Sequence, residues 1–311
     1  MLRIILGDIT GLTNMDIIKN MESRKNIKTK IEMRKFIQVL RKSVLPFINI
    51  KRFRYIKGLT NLNFFEVHVT DHCNLNCRSC DHFSPLSNPY FIDLNKLEED
   101  YRLLAPVSHR FFNQIHLMGG EPLLHPEIEK IMILTRTYFP KTTIWLYTNG
   151  IKLLSMQESF WKTCSEYSIQ IYISKYPINI HYKQVCAIMD KWHLIYAVST
   201  EVEYFFHYAL DPSGKQNHRK SYETCDWGGV YIQLKNGILY PCARIAYIEK
   251  VNNTFGLKLK CTKEDFLEIK KLSRWNFLKF VTKSKPFCRY CTMERRKVSW
   301  GHSCKSKEEW L

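Results

Sequence analysis

From Phe64 to about Leu210 the chain alternates between short apolar runs of two-residue period and longer stretches whose apolar positions recur every three to four residues. That is the pattern of parallel strands joined by crossover helices. The runs predict strands near 64–70, 113–118, 142–148, 168–174, 194–198 and 202–208. Helices are predicted between them over 94–104, 126–138, about 155–166 and 181–192, the second with Pro126 in its first turn, where a missing N–H is harmless. Asp211-Pro212-Ser213-Gly214 breaks the alternation. Val230–Tyr240 then reads as two strand-like runs joined at Asn236-Gly237, a strong hairpin signal that makes neighbours of the flanking Cys225 and Cys242. Upstream, Ile31, Phe36, Ile37, Leu40, Val44 and Leu45 fit one helical face, which Pro46 ends.

Composition adds that a core is affordable and charge adds an asymmetry. The 311 residues are 45% apolar and 14% aromatic, enough for one large domain or two modest ones. Of the net charge of +18, Lys19–Lys57 carries +11, with 13 Lys and Arg against Glu22 and Glu32. Residues 1–60 are therefore read as a basic helical extension, a solvated lead-in packed on the main body. The alternative is a grip on nucleic acid, an anionic surface or an acidic partner. Asp8 interrupts the first apolar run and no cleavage pattern follows, so no secretory signal is expected. The longest stretch free of Asp, Glu, Lys and Arg is the 11 residues His82–Ile92, short of the ~20 that a transmembrane helix needs. Eleven cysteines in such a chain fit a reducing, cytoplasmic compartment, where thiols serve metals or redox work.

The chemistry starts where the strand at 64–70 ends. Asp71-His72-Cys73-Asn74-Leu75-Asn76-Cys77-Arg78-Ser79-Cys80 follows it directly. Three thiolates from one tight loop can hold three irons of a four-iron cubane and leave the fourth open to a chelating small molecule. Spacing alone also allows a zinc site, closed by His72 or His82. Leu117-Met118-Gly119-Gly120-Glu121-Pro122, at the end of the next strand-like run, changes the balance, because two motifs in order, each at a strand end, agree in structural context.

Together the two motifs resemble those of the radical S-adenosylmethionine (SAM) superfamily. The resemblance implies an open (β/α)6 barrel over 61–210, with ligands at the carboxyl ends of its strands. It implies a 4Fe-4S cluster on Cys73, Cys77 and Cys80 whose open iron binds the amino and carboxylate groups of SAM. A flavodoxin- or ferredoxin-like reductant supplies the electron that cleaves SAM to a 5′-deoxyadenosyl radical. Gly119, Gly120 and Glu121 are expected against the SAM ammonium, through a backbone oxygen or the acid. Thr148 and Asn149, in the turn after the third strand, and Ser174, after the fourth, are expected against the rest of SAM. Ser79 stands where the family usually has an aromatic residue beside the adenine.

Further along, Cys225 and Cys242 around the hairpin, followed by Cys288-x2-Cys291, resemble the twitch subdomain, the short form of the SPASM extension. Residues 211–311 are then an auxiliary subdomain with a second 4Fe-4S cluster on Cys225, Cys242, Cys288 and Cys291. A zinc ribbon on the same four is the alternative. Cys304 is left over: a hydrogen donor, an alternative ligand resembling the C-terminal triad of molybdopterin-precursor synthases, or a thiol without a role. Cys164, Cys186 and Cys261 are read as small core residues. His82-Phe83-Ser84-Pro85-Leu86 resembles a subgroup associated with surface-polysaccharide genes, which points to a sugar, aminocyclitol or nucleotide-sugar substrate undergoing oxidation or epimerisation. A peptide maturase is the alternative enzyme. A zinc protein that binds nucleic acid through its basic arm is the reading outside enzymes, and it gives Gly119-Gly120-Glu121 nothing to do.

Overall fold

The computed structural model describes residues 64–311, so the basic extension 1–60 and its helical face lie outside the described residues. Five strands form in order as the periodicity predicts: β1 (Phe64–Thr70), β2 (Gln114–Gly119), β3 (Thr143–Thr148), β4 (Ile169–Ile173) and β5 (Tyr196–Val198). All pair in parallel, β1 with β2, β2 with β3, β3 with β4 and β4 with β5. Helices α1 (Leu94–Ser108), α2 (Ile128–Tyr138), α3 (Glu158–Glu166) and α4 (Tyr182–Lys191) connect them. Asp93 starts α1 by accepting from the amides of Asn95 and Lys96, the usual means of satisfying a first turn. The second helix starts at Ile128, with Pro126 just outside it.

Both faces of β1 are buried, as expected of a strand in mid-sheet. Phe65, Val67 and Val69 join the large core with Leu97, Tyr101 and Leu104 of α1 and Ile131 and Met132 of α2. Glu66, His68 and Thr70 alternate to the other face and are buried polar groups. This is an α/β fold with a parallel sheet, consistent with a partial radical SAM barrel. Cys164 is fully buried and Cys186 packs against this core, but Cys261 is exposed. Its neighbours Lys258, Lys260 and Lys263 keep that loop in water, so it is no core residue.

The sixth strand forms, as β6 (Tyr204–Leu210), but pairs antiparallel with β10 (Cys291–Ser299) in a separate two-stranded ribbon. Its alternation is the same in either setting; only the partner differs. The hairpin forms as read: β7 (Tyr231–Lys235) and β8 (Ile238–Tyr240) pair antiparallel across a two-residue loop. Asn236 and Gly237 both have positive φ, 51° and 72°, as a type I′ turn requires. β7 lies parallel to β1, on the side opposite β2, and β9 (Leu267–Glu268) adds to β8. The main sheet therefore runs β5-β4-β3-β2-β1-β7-β8-β9. The other helices are α5 (His218–Thr224), α6 (Ala243–Phe255) and α7 (Arg274–Thr282). A second core gathers Phe83, Leu210, Phe287, Tyr290 and Trp310 around Ile245, Ile248 and Val251 of α6. Among the described residues no helix is long and apolar enough to cross a membrane.

Candidate active site and a second cysteine site

The loop after β1 turns tightly because three residues take left-handed backbone: Asn76, Ser79 and Phe83, with φ of 51°, 55° and 56°. Such conformations cost about 1–2 kcal/mol each outside glycine, so the loop needs anchors. Leu75 is buried on one side and Phe83 belongs to the second core on the other. Cys73, Cys77 and Cys80 line one cavity at the carboxyl ends of β1 to β4, with Ser79, Gly119, Gly120, Glu121, Thr148, Asn149 and Ser174 around them. All the residues expected at a first cluster and SAM site thus share one space. Burial pushes the Cys73 thiol up to about 11 and that of Cys77 up to about 12, so both stay protonated near neutrality unless a metal displaces the proton. Burial also raises Cys80, but the adjoining His82 outweighs it and the thiol lies below its ordinary value.

Gly119 and Gly120 serve backbone-to-backbone packing. A Cβ at Gly120 would stand 2.2 Å from the carbonyl oxygen of His72, and one at Gly119 2.3 Å from that of Thr70. The close approach is used: Gly120 N donates to Thr70 O at 2.7 Å and Glu121 N to His72 O at 2.8 Å. Glu121 is 1% exposed. Its carboxylate accepts from Thr148 Oγ1 at 2.7 Å, Asn149 N at 2.8 Å and Leu123 N at 3.1 Å. Oε1 thus accepts two hydrogen bonds and Oε2 one. Asn149 Nδ2 donates to Asn74 Oδ1 at 2.8 Å, tying the third strand end to the cysteine loop. Burial pushes the Glu121 carboxyl up to about 7 despite these donors.

What the sequence did not announce is the strap formed by residues 300–311, which lies along the cysteine loop. Arg78 N donates to Gly301 O at 2.7 Å, Ser303 N to Asn76 O at 2.8 Å and Trp310 Nε1 to Cys80 O at 3.0 Å. Trp300 Nε1 donates to Cys77 Sγ at 3.2 Å. Ser79, where an aromatic residue is usual, gives its hydroxyl to Glu309 O at 2.7 Å. Aromatic surface comes from elsewhere: Tyr176 and Phe205 line the cavity, and the ring of Tyr176 stands 5.9 Å from that of Trp300. The one sequence signal for the strap is two tryptophans in an otherwise polar stretch, which need a surface to pack on.

The other cysteine set converges too. Cys225 closes α5, Cys242 precedes α6, and Cys288 and Cys291 flank the turn into β10. All four line a small cavity with Tyr208, Trp227, Arg244 and Phe287. The hairpin brings in the first pair, with Gly229 N donating to Pro241 O at 2.8 Å. Burial raises Cys242 well above the ordinary thiol range and Cys291 to about 11. Cys304 does not line this cavity; it sits in the strap, its thiol 3.0 Å from Glu309 Oε1. Among the described residues no three His, Cys, Asp or Glu side chains converge as a single-ion site would require. Cys73, Cys77 and Cys80 line a cavity of about 250 Å³, and the second set a much smaller one of about 20 Å³.

The fold and this donor set define a class, and comparison with known proteins agrees. Residues 67–174 match the Radical SAM superfamily, and the chain carries a domain of that family, which implies a 4Fe-4S cluster and SAM. It is similar to the GTP 3′,8-cyclase of Clostridium acetobutylicum, 34% identical over 104 residues, covering 33% of this chain and 32% of the cyclase. The GTP 3′,8-cyclase of Syntrophomonas wolfei is 31% identical over 98 residues, covering 32% and 30%. The chain thus spans about a third of the length of these relatives. Among solved structures, BtrN in complex with AdoMet and 2-DOIA is 16% identical, covering 74% of this chain and 92% of that one at a TM-score of 0.46. Streptococcus suis SuiB is 15% identical, covering 55% and 43%, at 0.36.

Proposed function

We propose that the chain is a radical SAM enzyme acting on a small hydroxylated substrate: a sugar, aminocyclitol or nucleotide-linked sugar. When bound, the cluster and SAM supply a 5′-deoxyadenosyl radical that takes a hydrogen atom from the substrate. Cys73, Cys77 and Cys80 would hold the first cluster. Gly119, Gly120, Thr148, Asn149 and Ser174 form the wall against which SAM would lie, kept in register by Glu121. Cys225, Cys242, Cys288 and Cys291 would hold a second, fully ligated cluster in a twitch-like region, with 211–311 as its subdomain. A flavodoxin- or ferredoxin-like protein is the proposed reductant, and the cytoplasm the proposed compartment.

One observation carries the substrate class. His82 and Ser84, from the stretch after the cysteine motif, line the first cavity. Their His82 Nε2 and Ser84 Oγ atoms are buried with no hydrogen-bond partner among the described residues. A buried polar atom without a partner forfeits about 1–3 kcal/mol, which a ligand hydroxyl can return, since it both donates and accepts. Tyr176 and Phe205 add aromatic faces to the same wall.

The test is anaerobic reconstitution followed by incubation with SAM, dithionite and deuterated candidate sugars. About eight iron per chain and deuterium in 5′-deoxyadenosine from one sugar class are expected. Replacing Cys73, Cys77 and Cys80 with alanine should abolish SAM cleavage. Zinc with negligible iron would overturn the reading, and deuterium transfer only from peptide substrates would replace the sugar by a peptide.

A further inference from the structure

Arg244 and Asp81 occupy the wall between the two cysteine cavities, and neither is explained by what each cavity alone has to do. Asp81 follows Cys80 and lines the first cavity; Arg244 lies two residues after Cys242 and lines the second. The guanidinium is 4% exposed. Nη2 and Nε contact Asp81 Oδ1 at 2.6 and 3.2 Å, and Nη2 also meets His207 Nδ1 at 3.0 Å. Nη1 donates to Tyr208 O. Trp227 lies under it, 5.2 Å from ring centre to guanidinium carbon. Arg244 also shares the lining of the second cavity with Cys225, Cys242, Cys288 and Cys291.

Burying such a pair brings little net stability, because desolvation offsets most of the attraction. Its placement has another consequence. A cluster held by four thiolates carries net negative charge, and its potential responds to nearby charge and to hydrogen bonds at sulfur. A fixed cation in the wall of the cavity that the four cysteines line favours the added electron. The carboxylate behind it opposes that effect in part.

We propose that Arg244 and Asp81 form an electrostatic bridge between the cysteine sites, in which Arg244 raises the reduction potential of the cluster on Cys225, Cys242, Cys288 and Cys291 and Asp81 limits that rise. This inference rests on the reading of a second cluster, and it assigns Arg244 a positioning and tuning role without contact to substrate.

The experiment is a redox titration of the reconstituted full chain followed by electron paramagnetic resonance. The second cluster is identified as the signal that SAM addition leaves unchanged. Arg244→Met at full iron content should lower its midpoint by at least tenfold in the reduction equilibrium, about 59 mV for one electron, and Arg244→Lys should recover most of the shift. Asp81→Asn should move the same midpoint upward. Opposed shifts are what a purely structural role would not produce. If Arg244→Met fails to retain iron, Asp81→Asn decides: a rise supports the bridge and an unchanged midpoint overturns it. Wild-type protein with about four iron and a single SAM-responsive signal would instead remove the second cluster itself, an outcome separate from an unshifted midpoint.

Discussion

A methyl group added at Gly120 has nowhere to go, since the His72 carbonyl oxygen would stand 2.2 Å from it and that of Asp71 2.9 Å. Both obstacles are backbone of the cysteine loop, so no side chain can rotate aside. Gly120→Ala should cost at least the ~1–3 kcal/mol of an overpacked site and push that loop away from the β2 end. The expected result is a melting temperature several degrees lower and loss of about half the iron, from the first site alone; full iron at unchanged stability would refute the packing argument. At this scale the sequence was partly legible. Cysteine spacing and Gly-Gly-Glu announce a site because those residue types are scarce and their chemistry is narrow. Trp300 and Arg244 were not legible, because a single indole or guanidinium has many uses and only the fold decides which site it faces.

Helix α1 and the β7–β8 hairpin meet at one carboxylate. Burial holds the Asp100 carboxyl up at about 6 against an ordinary 3.8, outweighing the pull of the nearby Gly237 and Asn236 amides. The sign follows from proton counting. Between those two values the folded state keeps a proton that the unfolded chain has already released, so stability falls as pH rises from about 4 to about 6 and then levels. Asp100→Asn should flatten that slope, a difference of at most about 3 kcal/mol, read from urea denaturation at pH 4, 5, 6 and 7. An identical slope in the variant would assign the effect elsewhere. Elements themselves were well announced: β1 to β6 and the hairpin lie where two-residue alternation and Asn236-Gly237 put them. Partners were not, because alternation says which face is buried and nothing about which strand lies alongside. Hence β7 came to lie parallel to β1, and β6 to pair with β10.

For the molecule as a whole, the two cysteine sets occupy separate cavities with separate lining residues, so they should be separable in function. Cys288→Ala combined with Cys291→Ala should leave about four iron and continuing SAM cleavage without productive turnover. Retention of about eight iron would show that the ligand set is wrong. The strap has a consequence of another kind, in time. Cys77 and Trp300 are 223 residues apart, and at ~5–20 residues per second a ribosome takes roughly 10–45 s to cover that distance. Through that interval the cysteine loop has emerged while the segment that covers it does not yet exist. Iron delivered early meets a loop held from one side only, and iron delivered late meets one already closed by Trp300 and Trp310. Covering of the cysteine loop thereby waits on the synthesis of residues 300–311.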